Sequence, residues 1–228
     1  MPINSVNLTN ALADMQQRIA ANPVKAVRSQ EFIQVLHAWA EGELRSRARK
    51  VVTSGKTYPV TVKREATIFG AHKPKNADLT VVEANNGPLI YVGVRSQMSS
   101  VQKNLLTYYQ DIIGELSGIH KRFPVTVAGY IYLHPVAPIK PGKTTEKVPH
   151  GQAQRLFSAI TGRSGQTYAE VEDVYDHFAY LVVDFVQTPP VVSAAWPDAN
   201  HAMLRIDDFF DNLVDTFNQR NPSYLLRP

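Results

Sequence analysis

The chain has 228 residues, of which 44% are hydrophobic and 19% charged, proportions of a globular rather than a disordered protein. No apolar run reaches the roughly 18 residues of a membrane span, and the start MPINSVNLTNALADMQQRI lacks the basic and apolar segments of a signal peptide. With no cysteine, the chain has no disulfides, thiolate catalysis or cysteine-ligated zinc, which fits a cytoplasmic location.

Two helices are expected to open the protein. The first covers about Ser5 to Ala20 and ends before Asn22-Pro23, because proline pushes the residue before it out of the helical region. The second starts at the N-cap Ser29 and runs to about Lys50, with Phe32, Val35, Leu36 and Trp39 on one face. After Ser54-Gly55 the pattern turns extended. Ala66 to Gly70 reads as a strand, His72 to Asn76 as a loop, and Asp78 to Glu83 and Leu89 to Arg95 as two further strands. Asn85-Asn86-Gly87-Pro88 lies between these last two and carries turn chemistry, which makes them a hairpin.

Ser99-Ser100 can cap a helix over Val101–His120, where Val101, Leu105, Tyr108, Ile112, Leu116 and Ile119 recur at helical spacing. VTVAGYIYL follows as a strand buried on both faces, and strand–helix–strand order implies a parallel crossover. Pro135 to Pro149 reads as a surface loop. Helices are expected over Gly151–Ile160 and around Tyr168–His177, a buried strand over Phe178–Val186, and a C-terminal helix over 201–219. In that last helix Ile206, Phe210, Leu213 and Phe217 face inward. The fold expected is α/β, a mixed central sheet flanked by helices. It forms one domain over 1–228, with N-terminal helices within 1–50.

Net charge is +4, and much of the basic excess falls in one stretch that includes Arg45, Arg47, Arg49, Lys50, Lys56, Lys63, Arg64, Lys73 and Lys75. That stretch is either a surface for nucleic-acid phosphates or a solvated face. The histidines lack H-x-x-x-H spacing, and TGRSG lacks the lysine of a phosphate-binding loop, so neither marks a site.

The segment KPKNADLTVVEANNGPLIYVGVRSQMSSVQKNLLTYYQDIIGELSGIHKRFPVTVAGY holds Asp78 opening one hairpin strand and Arg95 ending the next. It also holds an S-S-x-x-K-N helix start and R-F-P before a glycine-containing strand. From about Glu65 to Tyr130 the chain resembles the PD-(D/E)XK, restriction-endonuclease-like proteins. The resemblance implies a restriction-endonuclease-like core, with Asp78 as the motif aspartate, Arg95 at the lysine position and Lys103-Asn104 as the K-N pair. Gly93 stands where the family's E-x-K motif has glutamate. In such a site two acids hold Mg²⁺ while a lysine supports the attacking water.

The resemblance implies a metal held by Asp78, the Val94 carbonyl and Asp111, with Arg95 binding the scissile phosphate and Gln97 orienting water. Some nucleases of this fold place the second acid on the next helix, which brings in Glu115 beside Asp111; Glu41 and Glu43 on the earlier helix are further candidates. Glu83 has the opposite strand parity to Asp78 and is expected to point away. Arg45, Arg47, Lys73, Lys75 and Lys103 are the candidate DNA-binding residues. The implied function is a Mg²⁺-dependent DNA endonuclease, in restriction or defence. The alternatives are a catalytically decayed DNA-binding or assembly subunit and an interaction protein on the same fold. Cutting both strands of a duplex takes two sites, which by analogy implies a homodimer.

Overall fold

The computed structural model describes residues 3–26, 30–139, 147–163 and 168–228. Its elements run α1 (Ser5–Ala21), α2 (Pro23–Ala26), α3 (Gln30–Arg47), β1 (Lys50–Thr53), β2 (Lys56–Phe69), β3 (Pro74–Glu83) and β4 (Gly87–Ser96). Then come α4 (Val101–His120), β5 (Val127–Pro135), α5 (His150–Ala159), β6 (His177–Asp184), β7 (Val191–Val192), α6 (Phe209–Arg220) and β8 (Leu225–Arg227). The strands form one mixed sheet in the order β7-β6-β5-β4-β3-β2-β1-β8. The β4–β5 and β5–β6 pairs are parallel, as the crossovers require, and the other pairs are antiparallel. Among the described residues no helix is long and apolar enough to cross a membrane.

The sheet buries side chains on both faces. One core joins Leu36, Trp39 and Leu44 of α3 to Leu79, Val92, Ile131 and Leu213. The other joins Leu105, Ile112 and Leu116 of α4 to Tyr91, Tyr130, Phe157 and Phe178. β5 is buried along its whole length, as its unbroken apolar run requires.

The β3–β4 hairpin forms where expected, and the carboxylate of Glu83 locks its turn. It accepts from the backbone N–H groups of Asn85 and Asn86, both at 3.1 Å, while Gly87 takes the positive φ of 76° that the turn demands. Glu83 thus faces the turn and Tyr224, away from Asp78.

Several boundaries differ from expectation. Ser29 lies outside the described residues, as do parts of the Pro135–Pro149 loop and of TGRSG. The second helix stops at Arg47 rather than Lys50, because Lys50 begins a hairpin that turns at Ser54-Gly55. The expected strand at Ala66–Gly70 proves to be the end of a much longer one, which starts at Lys56 and stops at Phe69. β2 is mostly exposed, with only Val62 and Ile68 buried, so it shows no apolar alternation. The loop before β3 shortens, since Pro74 already pairs with Phe69. Ser100 stands at the N-cap of α4, but in left-handed conformation and without a side-chain capping bond.

No helix forms over Tyr168–His177. A single turn at Tyr168–Glu170 is followed by irregular chain, because Asp176 accepts from the Ala128 N–H at 2.7 Å and from Arg220. Those tertiary bonds replace helical ones. The C-terminal helix begins at Phe209, after a separate short turn at Ala199–Leu204.

Candidate active site

The cleft arises where the sheet forks. β3 and β4 pair from Glu83↔Gly87 to Leu79↔Val92. Beyond that point Pro74–Ala77 pair only with β2, while Gly93–Ser96 pair only with β5. Asp78 sits at the crotch, where its Oδ2 accepts the Val94 N–H at 2.7 Å. On the opposite strand the β2–β3 register skips Glu65, which adopts a left-handed φ of 50° and accepts from Gln34 of α3 at 3.3 Å. The fork opens a cleft of about 620 Å³. Phe32, Gln34 and His37 of α3 line one wall, and Asp78, Arg95, Lys73, Lys75 and Glu115 line the rest.

Charge in the cleft is balanced in pairs. Glu115 of α4 holds the Lys75 ammonium in an ion pair and lies 3.9 Å from Nη2 of Arg95. Asp111 lies 3.9 Å from Nη1 of Arg95, and the guanidinium stands 5.1 Å over the Tyr108 ring. Burial pushes the Asp78 carboxyl above its ordinary value, and the charge of Glu115 pushes the same way. The Val94 N–H and the charges of His37 and Arg95 pull against that without cancelling it. Burial also works against the Arg95 cation, but Tyr130, Glu115, Tyr132 and Asp111 outweigh it and hold its pKa above the ordinary value.

The structure brings Asp78, Arg95, Lys73 and Lys75 together in this cleft. Val94 meets Asp78 there through its N–H. Asp111 is half-exposed and lines an adjoining groove, whereas Glu115 lines both. Of the two acids on α4, Glu115 is therefore the one turned toward Asp78. Glu41 is bound to Arg45 and Arg64, and Glu43 to Arg47, so both are committed elsewhere.

Gln97 requires correction. It is only 6% exposed and does not line the cleft. Its Oε1 accepts from the Tyr132 hydroxyl at 3.0 Å and faces His134 at 3.3 Å, while its Nε2 donates to the Ser100 carbonyl. Gln97 pins the start of α4 to β5, and its hydrogen-bonding groups are engaged there.

Arg47 is a second correction. It is 4% exposed, bridging Glu43 at 2.7 Å and Asp211 at 2.8 Å, so it ties α3 to α6 rather than facing phosphate. Arg45 is exposed, with its guanidinium on Glu41 and the Val62 carbonyl, and Lys103 is exposed on α4.

Position 93 has no room for a side chain. A Cβ at Gly93 would lie 2.4 Å from Cε2 of Tyr130, whose ring is fully buried against Phe178 and Tyr175. The residue that sequence reasoning missed is His37. It sits among Phe32, Leu36 and Trp39, where an apolar helix face disguises it, yet it lines the cleft. Comparison of the chain with protein-family models, curated proteins and solved structures returned no match.

Proposed function

We propose that this chain is a DNA-acting protein of the PD-(D/E)XK, restriction-endonuclease-like class, a Mg²⁺-dependent endonuclease whose second acid is Glu115. One observation carries the reading: the forked sheet gathers Asp78, Glu115, Lys75 and Arg95 in a single cleft. Two acids and a lysine are the complement that metal-assisted phosphodiester hydrolysis needs, here drawn from β3, which carries Asp78 and Lys75, and from α4, which carries Glu115.

The donors fit a hard cation. Asp78 and Glu115 offer carboxylate oxygens and Val94 a carbonyl, the ligand types that Mg²⁺ takes. Asp78, pushed up by burial, is also a carboxyl whose ionised form a bound cation would favour. Bound Mg²⁺ supplies positive charge against the negative charge that develops on phosphate oxygens. Arg95 cannot act as a proton shuttle, because it stays charged; it binds and orients the phosphate instead. Lys75, ion-paired with Glu115, would hold the attacking water.

A second reading keeps DNA binding and discards cleavage. It is favoured by the ring of Tyr130 in the glutamate position. It is favoured also because, among the described residues, no three His, Cys, Asp or Glu side chains are arranged to hold a metal.

The separating experiment incubates duplex DNA with wild type and Asp78→Ala in Mg²⁺ or Mn²⁺. Cleavage by wild type that vanishes in the variant supports the nuclease. Cleavage by neither, with DNA binding intact in both, selects the decayed-site reading.

A further inference from the structure

Among the described residues lining the cleft, two buried side-chain nitrogens have no hydrogen-bond partner: Nε2 of His37 and Nη1 of Arg95. They come from opposite walls, His37 from the middle of α3 and Arg95 from the end of β4. His37 is only 5% exposed. Native folds rarely leave such donors unsatisfied, because a lone buried donor forfeits its bond to water.

The acids around them are already engaged. Asp78 accepts from Val94, Glu115 is paired with Lys75, and Glu65 accepts from Gln34. Asp111 approaches Nη1 of Arg95 only to 3.9 Å, outside hydrogen-bonding distance. The cleft thus presents one unpartnered donor from α3 and one from β4, and Lys73 also belongs to its lining. Acceptor-rich, negatively charged and small enough to stand between a helix and a strand end describes a tetrahedral oxyanion.

We infer that His37 and Arg95 form a two-walled clamp for one phosphate group, each donating to a different non-bridging oxygen. The proton must lie on Nε2 of His37, either in that neutral tautomer or in the imidazolium. The inference rests on reading the cleft as a phosphodiester site, and it adds that the phosphate enters between α3 and the sheet. His37 then sets where the backbone docks, while Asp78 and Glu115 serve the reaction.

Inorganic phosphate is the direct probe, titrated into the full chain while the ring nitrogens of His37 are followed by long-range ¹H–¹⁵N NMR. A saturable shift of Nε2 is expected. His37→Leu and Arg95→Ala should each weaken phosphate roughly 10-fold or more, the worth of one charge-assisted bond. His37→Gln places an amide N–H near the Nε2 position and should retain most of the affinity; thermal melts identify any variant that fails to fold. Phosphate binding unchanged in folded His37→Leu, or no shift of Nε2, overturns the clamp. DNA cleavage by the same variants separates the two ideas. If wild type cleaves nothing yet phosphate depends on His37, the nuclease reading fails and the clamp stands. If Asp78→Ala abolishes cleavage while His37→Leu alters neither cleavage nor phosphate binding, the clamp fails and the nuclease stands.

Discussion

The ring of Tyr130 fills the space that a side chain at position 93 would need, with Cδ2 and Cε2 at 2.5 and 2.4 Å from an ideal Cβ. Tyr130 stacks on Phe178 at 5.3 Å and meets Tyr175 edge-on at the same distance, contacts that hold its ring in place. Glycine at 93 and tyrosine at 130 form one packing unit.

Gly93→Glu alone should therefore destabilise the fold. Overpacking a buried site costs about 1–3 kcal/mol, and burying a carboxylate adds to that. Gly93→Ala isolates the steric part and should cost about 1–3 kcal/mol in urea unfolding. Paired with Tyr130→Ala, the same change should cost much less than the two single losses summed, since one removes the clash created by the other. Additive losses would show that the ring does not exclude residue 93.

Glu115, not Asp111, should matter for chemistry. Both lie on α4, but Glu115 lines the cleft and holds Lys75, while Asp111 is half-exposed beyond Arg95. Glu115→Gln should lower Mg²⁺-dependent cleavage at least 100-fold, the size of effect expected when one group of a catalytic set is removed. Asp111→Asn should change it only a few-fold. Single-turnover rates on duplex DNA make the comparison, and the reverse ranking would move the second acid to Asp111.

Asp78 should make the metal-free fold less stable as pH rises. Its folded value lies above the ordinary 3.8, so the native chain retains a proton that the unfolded chain has released. Stability is then lost as pH climbs from about that ordinary value through the folded one. Asp78→Asn keeps an oxygen for the Val94 N–H and removes the buried charge. In chelator-containing buffer it should raise the Tm at pH 7, and its advantage should shrink toward pH 4 while cleavage is abolished. A variant less stable than wild type at pH 7 would contradict this account.

Arg47 and the exposed lysines Lys73 and Lys103 should separate cleanly. Arg47→Ala strands the buried Glu43 and should cost about 3–5 kcal/mol in stability. Lys73→Ala with Lys103→Ala should leave the melt unchanged and flatten the salt dependence of DNA binding, by about 0.9 in log–log slope for each phosphate no longer neutralised. Binding titrations across a range of salt concentrations test this, and an unchanged slope would leave both lysines as solvated surface.

By itself the amino-acid sequence determined the elements whose signals are local. The Asn-Asn-Gly turn specified the β3–β4 hairpin, helical spacing bounded Val101–His120, unbroken apolar runs marked β5 and β6, and strand–helix–strand order implied the parallel β4–β5 pair. That hairpin placed Asp78 and Arg95 on adjacent strands, and parity turned Glu83 away. Tertiary structure decided which of those side chains meet. Strand parity cannot say that Gln97 turns inward to His134, because that depends on a partner 37 residues away. Helical spacing cannot say that Arg47 is buried, because Asp211 lies 164 residues away. An apolar helix face hides His37, and only the fork between β3 and β4 turns that face into the wall of a cleft. Elements follow from energies within a few residues of chain, whereas the site follows from close packing between distant ones, where a single ring such as Tyr130 determines what its neighbour can be.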